Sequence, residues 1–191
     1  FAVVGIPIKA QLGLTEAQFG LLTAIPVLSG SLVRVPLGIL TDKYGGRIVM
    51  FVLMLASVPF IFLMQYATEY WQFLTIGLIM GLAGGAFSVG TPYVARWFPK
   101  EQQGLAMGIF GAGNAGSALT KLIAPQLIAW SAAAGAAAAA WKIVPNVYAA
   151  LMLATAVLFW FTSYHDPKHL TDSKVSLKQQ LALLKDPGVL R

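Results

Sequence analysis

The chain has no cysteine, and charged residues make up only 10% of its 191 positions. The absence of cysteine excludes disulfide bonds, thiolate metal sites and a cysteine nucleophile. Soluble domains carry about 25% charged residues, whereas 58% of this chain is hydrophobic. The composition therefore predicts an all-α, polytopic transmembrane helix bundle. The net charge of +6 does not indicate a nucleic-acid partner, because the basic residues lie mainly in loops between apolar segments.

Acidic residues are scarce, and none of the seven lies within a long apolar segment. The four that precede residue 165 fall at segment ends: Glu16, Asp42, Glu69 and Glu101. No nucleophile, base and acid are clustered at one depth, so the sequence predicts neither an enzyme nor a cofactor. The same scarcity leaves no carboxylate to carry a proton through this part of the membrane.

Two patterns that suggest a ligand site have the wrong surroundings. His165 and His169 have the i, i+4 spacing of helical metal ligands, but they lie in a polar loop without a third ligand, so no metal site is predicted. The stretch 111–116 fits the GxGxxG dinucleotide fingerprint. It lies inside an apolar segment, follows no strand, and has no acidic residue about twenty positions later, so no nucleotide site is predicted.

Apolar segments long enough to cross a bilayer recur along the chain, since a spanning helix needs about 20 residues. We predict a partial span at 1–8 and five full spans at 17–41, 48–66, 71–95, 105–130 and 144–164. Loop cations are unevenly divided, with Lys9 and Lys142 alone on one side. The positive-inside rule therefore places the other loops, at 42–47, 96–101 and 165–191, in the cytoplasm.

One cation interrupts the second span. Arg34 lies in the apolar stretch 20–41 and has no acidic residue nearby to pair it. A guanidinium in the bilayer core costs about 2.5–3.5 kcal/mol on insertion scales. Such a cost suggests a use, and the natural partner of a buried, unpaired guanidinium is an anion.

The loop after the second span reads GILTDKYGGR, residues 38–47, and combines glycine, aspartate and basic residues. Its two adjacent glycines permit the backbone angles of a tight turn, and its charged residues can bind neighbouring helix ends. The pattern resembles the signature loop between the second and third spans of the major facilitator superfamily. The resemblance implies that Asp42, Gly46, Arg47 and Arg96 are gating residues that stabilise one state of alternating access.

A longer motif at 81–125 contains a glycine-rich fourth span with Phe87, the turn RWFPK and the sequence GNAG. It resembles the nitrate/nitrite porter (NarK/NasA-type) family of the same superfamily. The resemblance implies the N-terminal six-helix half of a major facilitator fold, a bundle at 1–164 with its first span truncated. We expect a piece of a longer carrier whose C-terminal half is missing here. Residues 165–191 are then the linker between halves, with an amphipathic helix at 174–185.

Small residues recur every four positions in two spans, which predicts two flat ridges. The first ridge consists of Gly77, Gly81 and Gly85, and the second of Gly104, Gly108, Ala112 and Gly116. Small ridges let helix backbones approach closely in lipid. We therefore expect tight packing on both.

Three residues on three spans reach a similar depth. At 1.5 Å per residue, Arg34 lies about 12 Å, Phe87 about 14 Å and Asn114 about 16 Å from the cytoplasmic edge. Secondary carriers bind substrate near the midplane, between their repeats. A guanidinium can grip two oxygens of planar nitrate, an amide can donate to it, and a ring can stack on it. The resemblance implies that these three residues and Gly113 contact the anion.

Lys121 is the other cation in an apolar segment, two helical turns from Asn114 on the same face and nearer the outer surface. It could draw anions inward, neutralise an acid, or extend its long side chain to the outer interface. The surrounding sequence ALTKL resembles carriers thought to be proton symporters.

The sequence thus predicts a secondary transporter that moves nitrate, nitrite or both across the inner (plasma) membrane by alternating access, with proton symport as the first interpretation. The alternatives are nitrate/nitrite antiport, transport of another small organic anion, and an anion sensor that does not transport. The predicted partners are nitrate or nitrite, protons, the lipid bilayer and the missing C-terminal half.

Overall fold

Helices make up nearly all of the chain that the computed structural model describes, which is residues 3–165 without the side chains of 136–138. Nine α-helices lie in this part: α1 Gly5–Leu12, α2 Glu16–Leu32, α3 Arg34–Tyr44, α4 Gly46–Leu63, α5 Tyr70–Gly81, α6 Ala86–Ala95, α7 Lys100–Gly111, α8 Ala115–Ser131 and α9 Ile143–Thr162. The predicted amphipathic helix at 174–185, His169 and the linker beyond residue 165 lie outside the described residues.

Sequence signals for capping fix the helix ends on the predicted outer side. α1 ends at Gly13, whose φ of 60° lies in the left-handed region that favours glycine. α2 begins after Thr15, whose hydroxyl accepts a hydrogen bond from the Gln18 backbone while the Gln18 side chain accepts one from the Thr15 backbone. Glu69 and Gln72 form the same capping box before α5. These caps define short connections between helices.

Several helices join end to end into longer runs. α2 and α3 meet at Val33, and 3₁₀ turns at 82–85 and 112–114 join α5 to α6 and α7 to α8. Four runs are long and apolar enough to cross a membrane: Glu16–Tyr44, Gly46–Tyr66, Tyr70–Ala95 and Ala139–Thr162. The run at 100–131 overlaps the predicted span 105–130 but is less apolar, because it is rich in glycine and includes several polar residues. The all-α membrane bundle expected from the composition is confirmed.

Two hydrophobic clusters hold the helices together. The larger one lies toward α1 and includes Ile8, Leu22 and Phe73, all almost fully buried. The smaller one joins α3, α4 and α6 around Leu37 and Val89. Neither cluster includes a residue of the junction between α7 and α8.

The first glycine ridge packs as expected. A β-carbon added at Gly81 would lie 1.9 Å from Ser29 Oγ and 2.4 Å from the carbonyl oxygen of Pro26. One added at Gly85 would lie 2.5 Å from a methyl group of Leu37. Only glycine allows α2 and α3 to approach α5 and the following turn this closely.

The expectation for the second ridge is wrong within the described residues. A β-carbon added at Gly104, Gly108 or Gly116 would meet no atom within 4 Å. The small residues of α7 and α8 therefore form an open surface, since no helix in this part of the chain reaches them.

Candidate functional site

Arg34 is the first residue of α3, directly after the point where α2 and α3 meet. Pro36 follows in the first turn and has no backbone N–H, so it cannot donate to the carbonyl four residues earlier. The Arg34 side chain is exposed, and within residues 3–165 it has no hydrogen-bonding or ionic partner. The structure thus places an unpaired positive charge where a membrane-crossing run is interrupted.

Gly113 and Asn114 lie in the 3₁₀ turn that separates α7 from α8. Both are exposed, and a β-carbon added at Gly113 would meet no atom of the described chain within 4 Å. The Asn114 carbonyl accepts a hydrogen bond from Ser117 Oγ at 2.9 Å, which stabilises the start of α8. Its side-chain amide is exposed and makes no hydrogen bond to another described residue, so it can bind a ligand.

Phe87 is the second residue of α6, directly after the 3₁₀ turn at 82–85. Its ring is 40% exposed and meets the Phe110 ring edge-on, with centroids 5.1 Å apart. Gly90 makes this contact possible, since a β-carbon there would lie 2.2 Å from Phe110. The Phe87 ring is therefore held against α7.

The predicted binding residues share one local feature, which is that each lies at a helix interruption. α3 packs against α6, and α6 packs against α7, so the helices that carry Arg34, Phe87 and the Gly113–Asn114 turn are consecutive neighbours. No hydrogen bond or ion pair joins these side chains to one another among the described residues. Interrupted helices are the usual source of substrate sites in secondary carriers. We call these four residues the anion face.

An ion pair joins two helix ends on the predicted cytoplasmic side. Arg96 Nη2 donates to Asp42 Oδ1 at 2.7 Å, with side chains 15% and 42% exposed, respectively. Gly46 allows close packing nearby, since a β-carbon there would lie 2.4 Å from Tyr93 Cβ. The structure thus brings three of the four predicted gating residues to the meeting point of α3, α4 and α6.

Arg47 makes a separate contact, with the end of α9. Its guanidinium donates to the carbonyl oxygen of Trp160 and, at 3.2 Å, to Ser163 Oγ. It also lies 4.4 Å from the centroid of the Trp160 ring. A cation is stabilised at a helix C-terminus by the carbonyl groups exposed there. Arg47 therefore fixes α9 to α4.

Lys121 borders a cavity of about 330 Å³ between the helices. Tyr148 donates a hydrogen bond to Thr120 at 2.9 Å on the wall of this cavity. The lining residues include no acid, and Lys121 has no ionic partner in the described chain. The Lys121 charge is thus not neutralised by a carboxylate within residues 3–165.

Sequence reasoning missed the helix interruptions and the contacts of Arg47. Pro36 and the closely spaced glycines before Phe87 and Asn114 were the available signals for the interruptions. The Arg47 contacts had no such signal, because Trp160 and Ser163 are more than 110 positions away along the chain.

The family comparison agrees with the fold and with the loop motif. Residues 1–190 match the Major Facilitator Superfamily. The chain belongs to this superfamily, a class of transport proteins, and it is a multi-pass protein of the plasma membrane.

Curated relatives within the family carry names that concern nitrate and nitrite. The chain is 42% identical over 167 residues to a probable nitrate/nitrite antiporter, NarK1, of Thermus thermophilus, covering 84% of this chain and 37% of the relative. It is 34% identical over 175 residues to a nitrite extrusion protein of Bacillus subtilis, covering 91% and 41%. It is 32% identical over 179 residues to a probable nitrate transporter, NarT, of Staphylococcus carnosus, covering 94% and 44%. The predicted resemblance to nitrate/nitrite porters is confirmed.

The chain spans less than half the length of these relatives. No solved structure shows significant similarity to it.

Proposed function

We propose that this chain forms the N-terminal half of a secondary carrier for nitrate and nitrite, and that the anion face is one wall of its substrate site. The observation that carries the proposal is the exposed, unpaired guanidinium of Arg34 at a helix interruption. The cost of holding that charge at membrane depth is offset when an anion binds. Relatives named as nitrate and nitrite transporters support this choice of anion.

The anion face suits a small, flat anion. Arg34 can donate two parallel hydrogen bonds to two nitrate oxygens, and the Asn114 amide can donate to the anion from the neighbouring run. Phe87 can cover the plane of the anion, because Phe110 holds its ring from the side. Gly113 leaves room for the anion, since the backbone there has open space in front of it.

We propose that the contact between Asp42 and Arg96 stabilises one state of the transport cycle. The pair joins the end of α3 to the end of α6, and these helices carry Arg34 and Phe87. Opening the cytoplasmic side separates helix ends, so it requires a partly buried charge pair to break or to change partners. Gly46 and Arg47 support this lock by holding α4 against its neighbours.

In this proposal Lys121 lies on the path by which anions reach the site from the outer side of the membrane. It has no acid to neutralise in the described chain, and it lies two turns from Asn114 on the same helix. An ammonium in this position attracts anions toward the Arg34 site without the planar grip of a guanidinium.

Exchange of nitrate for nitrite is the second candidate mode beside proton symport. The described spans contain no carboxylate within the membrane to take up a proton, and one relative is named as an antiporter. In an exchanger, the carrier changes sides only with an anion bound. The empty carrier is disfavoured in this step, because the charge of Arg34 is then uncompensated.

The proposal is tested with the full-length carrier in proteoliposomes, by following nitrate uptake. Internal nitrite should drive uptake without a pH gradient if the carrier exchanges anions, whereas an inward proton gradient should drive it in a symporter. Failure of nitrate to bind or move while an organic anion does so contradicts the choice of substrate. Nitrate binding without uptake favours a sensor.

Arg34→Lys tests the binding arginine. Lysine keeps the charge but loses one of two parallel, charge-assisted hydrogen bonds, each worth about 1.5–3 kcal/mol. We expect nitrate affinity to fall roughly 10- to 150-fold, at 1.4 kcal/mol per tenfold. Lys142→Arg is the control for a conservative cation change away from the anion face. Undiminished affinity in Arg34→Lys contradicts the proposed role of Arg34.

A further inference from the structure

The cavity of about 330 Å³ beside Lys121 has a charged mouth and an apolar interior. Two of its lining residues on α8, Ser117 and Lys121, are exposed, so they lie where the cavity opens. The buried part of its wall consists of apolar residues from other elements: Val4, Met64, Val144 and Pro145. The cavity therefore presents a cation at its opening and hydrocarbon at its closed side.

Three hydroxyl groups also line the cavity, and each one donates its hydrogen within the protein. Ser117 and Thr120 donate to backbone carbonyl groups three and four residues earlier, at 2.9 and 2.8 Å. Tyr148 donates to the Thr120 hydroxyl at 2.9 Å. A hydroxyl group has a single hydrogen, so none of the three is left to donate to a ligand. Among the described side chains that line the cavity, the Lys121 ammonium is the only remaining donor.

This donor set and the apolar wall select the chemistry of a ligand. Nitrate is best held by several donors or by a planar fork, and the cavity supplies neither. A carboxylate pairs with a single ammonium, and an apolar group attached to it gains about 25 cal/mol for each Å² that the wall removes from water. A neutral apolar molecule would leave the Lys121 charge uncompensated. No acid within residues 3–165 lines the cavity and competes for that charge.

We propose that this cavity is a second ligand site, distinct from the anion face, and that it binds a monocarboxylate with an apolar body. The carboxylate pairs with Lys121 at the mouth, and the apolar body lies against Met64 and Val144. None of the four residues of the anion face lines the cavity. Small-molecule pockets have volumes of about 300–1,000 Å³, so this cavity holds an aromatic ring or a short chain but not a whole phospholipid.

The experiment is isothermal titration calorimetry of the full-length carrier in nanodiscs, with phenylbutyrate as the probe and empty nanodiscs as the blank. We expect one saturable site that binds phenylbutyrate severalfold more tightly than acetate, which lacks the apolar body, and phenylbutanamide, which lacks the charge. Equal binding of phenylbutyrate and its amide overturns the proposal, as does a signal fully explained by the empty nanodiscs. No nitrate enters this measurement, so its result is independent of the proposed transport function.

Lys121→Met keeps an unbranched apolar side chain and removes the ammonium, so it should weaken phenylbutyrate binding to the level of the amide. Lys142→Met is the matched control, because Lys142 is a cation directly before α9 that does not line the cavity. Arg34→Lys should leave phenylbutyrate binding unchanged. Loss of binding in Arg34→Lys with unchanged binding in Lys121→Met would assign the probe to the anion face and overturn the second site.

Val144→Phe tests the apolar part of the site by filling the buried side of the cavity. It should weaken phenylbutyrate binding severalfold and leave the weak binding of acetate unchanged. Val147→Phe is the control on the same helix, since Val147 does not line the cavity. Met80→Trp, from the α5 side of the cavity, serves if Val144→Phe does not fold. Unchanged phenylbutyrate binding in a folded variant that fills the cavity overturns the proposed position of the ligand.

Discussion

Gly81→Ala adds one methyl group at the closest approach between α2 and α5. The new β-carbon would lie 1.9 Å from Ser29 Oγ, 2.4 Å from the Pro26 carbonyl oxygen and 2.8 Å from Pro26 Cα. The hydroxyl of Ser29 can rotate away, although it then loses its 3.2 Å hydrogen bond to Pro26. The backbone atoms of Pro26 cannot rotate, so the two helices have to separate.

The size of the effect follows from these distances. An ordinary contact of a β-carbon begins at 3.4 Å, so relief from the Pro26 carbonyl requires a displacement of about 1 Å. Overpacking of this kind typically costs about 1–3 kcal/mol. The higher helix propensity of alanine offsets up to about 1 kcal/mol of this cost. We therefore expect a net loss of stability, together with weaker nitrate transport, because α2 leads directly into Arg34.

The assay is thermal unfolding of the full-length carrier in detergent, with Gly104→Ala as the matched control. Gly104 is also a helical glycine, but a β-carbon there meets no atom of residues 3–165 within 4 Å. Gly81→Ala should lower the midpoint, while Gly104→Ala should leave it unchanged or raise it slightly. Adding Ser29→Ala should rescue Gly81→Ala only in part. Full rescue by Ser29→Ala, or equal midpoints for the two glycine variants, would refute the backbone clash.

Three further predictions concern two residues of the anion face and the ion pair on the predicted cytoplasmic side. Gly113→Ala should leave the unfolding midpoint intact, because its β-carbon meets no atom of the described residues, yet lower nitrate uptake severalfold; equal uptake would place the anion elsewhere. Phe87→Leu should raise KM for nitrate and leave the unfolding midpoint nearly unchanged, since Phe87 is 40% exposed; a lower midpoint with an unchanged KM would assign Phe87 to packing alone. Asp42→Asn and Arg96→Gln should show a coupling of about 0.5–1 kcal/mol in a double-mutant cycle of unfolding; additive effects would contradict the ion pair.

Local sequence patterns were enough to predict the helices and the class of protein, because both depend on residue types close together in the chain. Each apolar segment indicates its own helix, and the loop at 38–47 indicates the family by itself. The two glycine ridges show where this reasoning stops. Gly81 and Gly108 have the same spacing of small residues around them, but within residues 3–165 only Gly81 has a helix against it. The spacing predicts a flat surface, whereas the helix arrangement decides what covers it.

The shared depth of the anion face stays a prediction, whereas the backbone form of its residues was not predicted. Counting residues from the helix ends was enough to propose that Arg34, Phe87 and Asn114 share a level. It did not indicate that each lies at an interruption, because an unbroken helix has the same count. The Arg47 contacts with α9 could not be predicted either, since no periodicity links residues so far apart.

The exposure of the anion face limits what can cover it. Arg34 has no counter-charge within residues 3–165, and Lys121 has no acid beside it. A covering surface that supplied an unpaired carboxylate to Arg34 would neutralise the charge that attracts nitrate. A surface that supplied a second cation would raise the cost of the empty site and make binding of an anion still more favourable. The proposed carrier therefore requires that the part of the protein facing Arg34 bring positive charge or neutral donors to it. A carboxylate there that is within reach of Arg34 and has no cation of its own would contradict anion transport by this site.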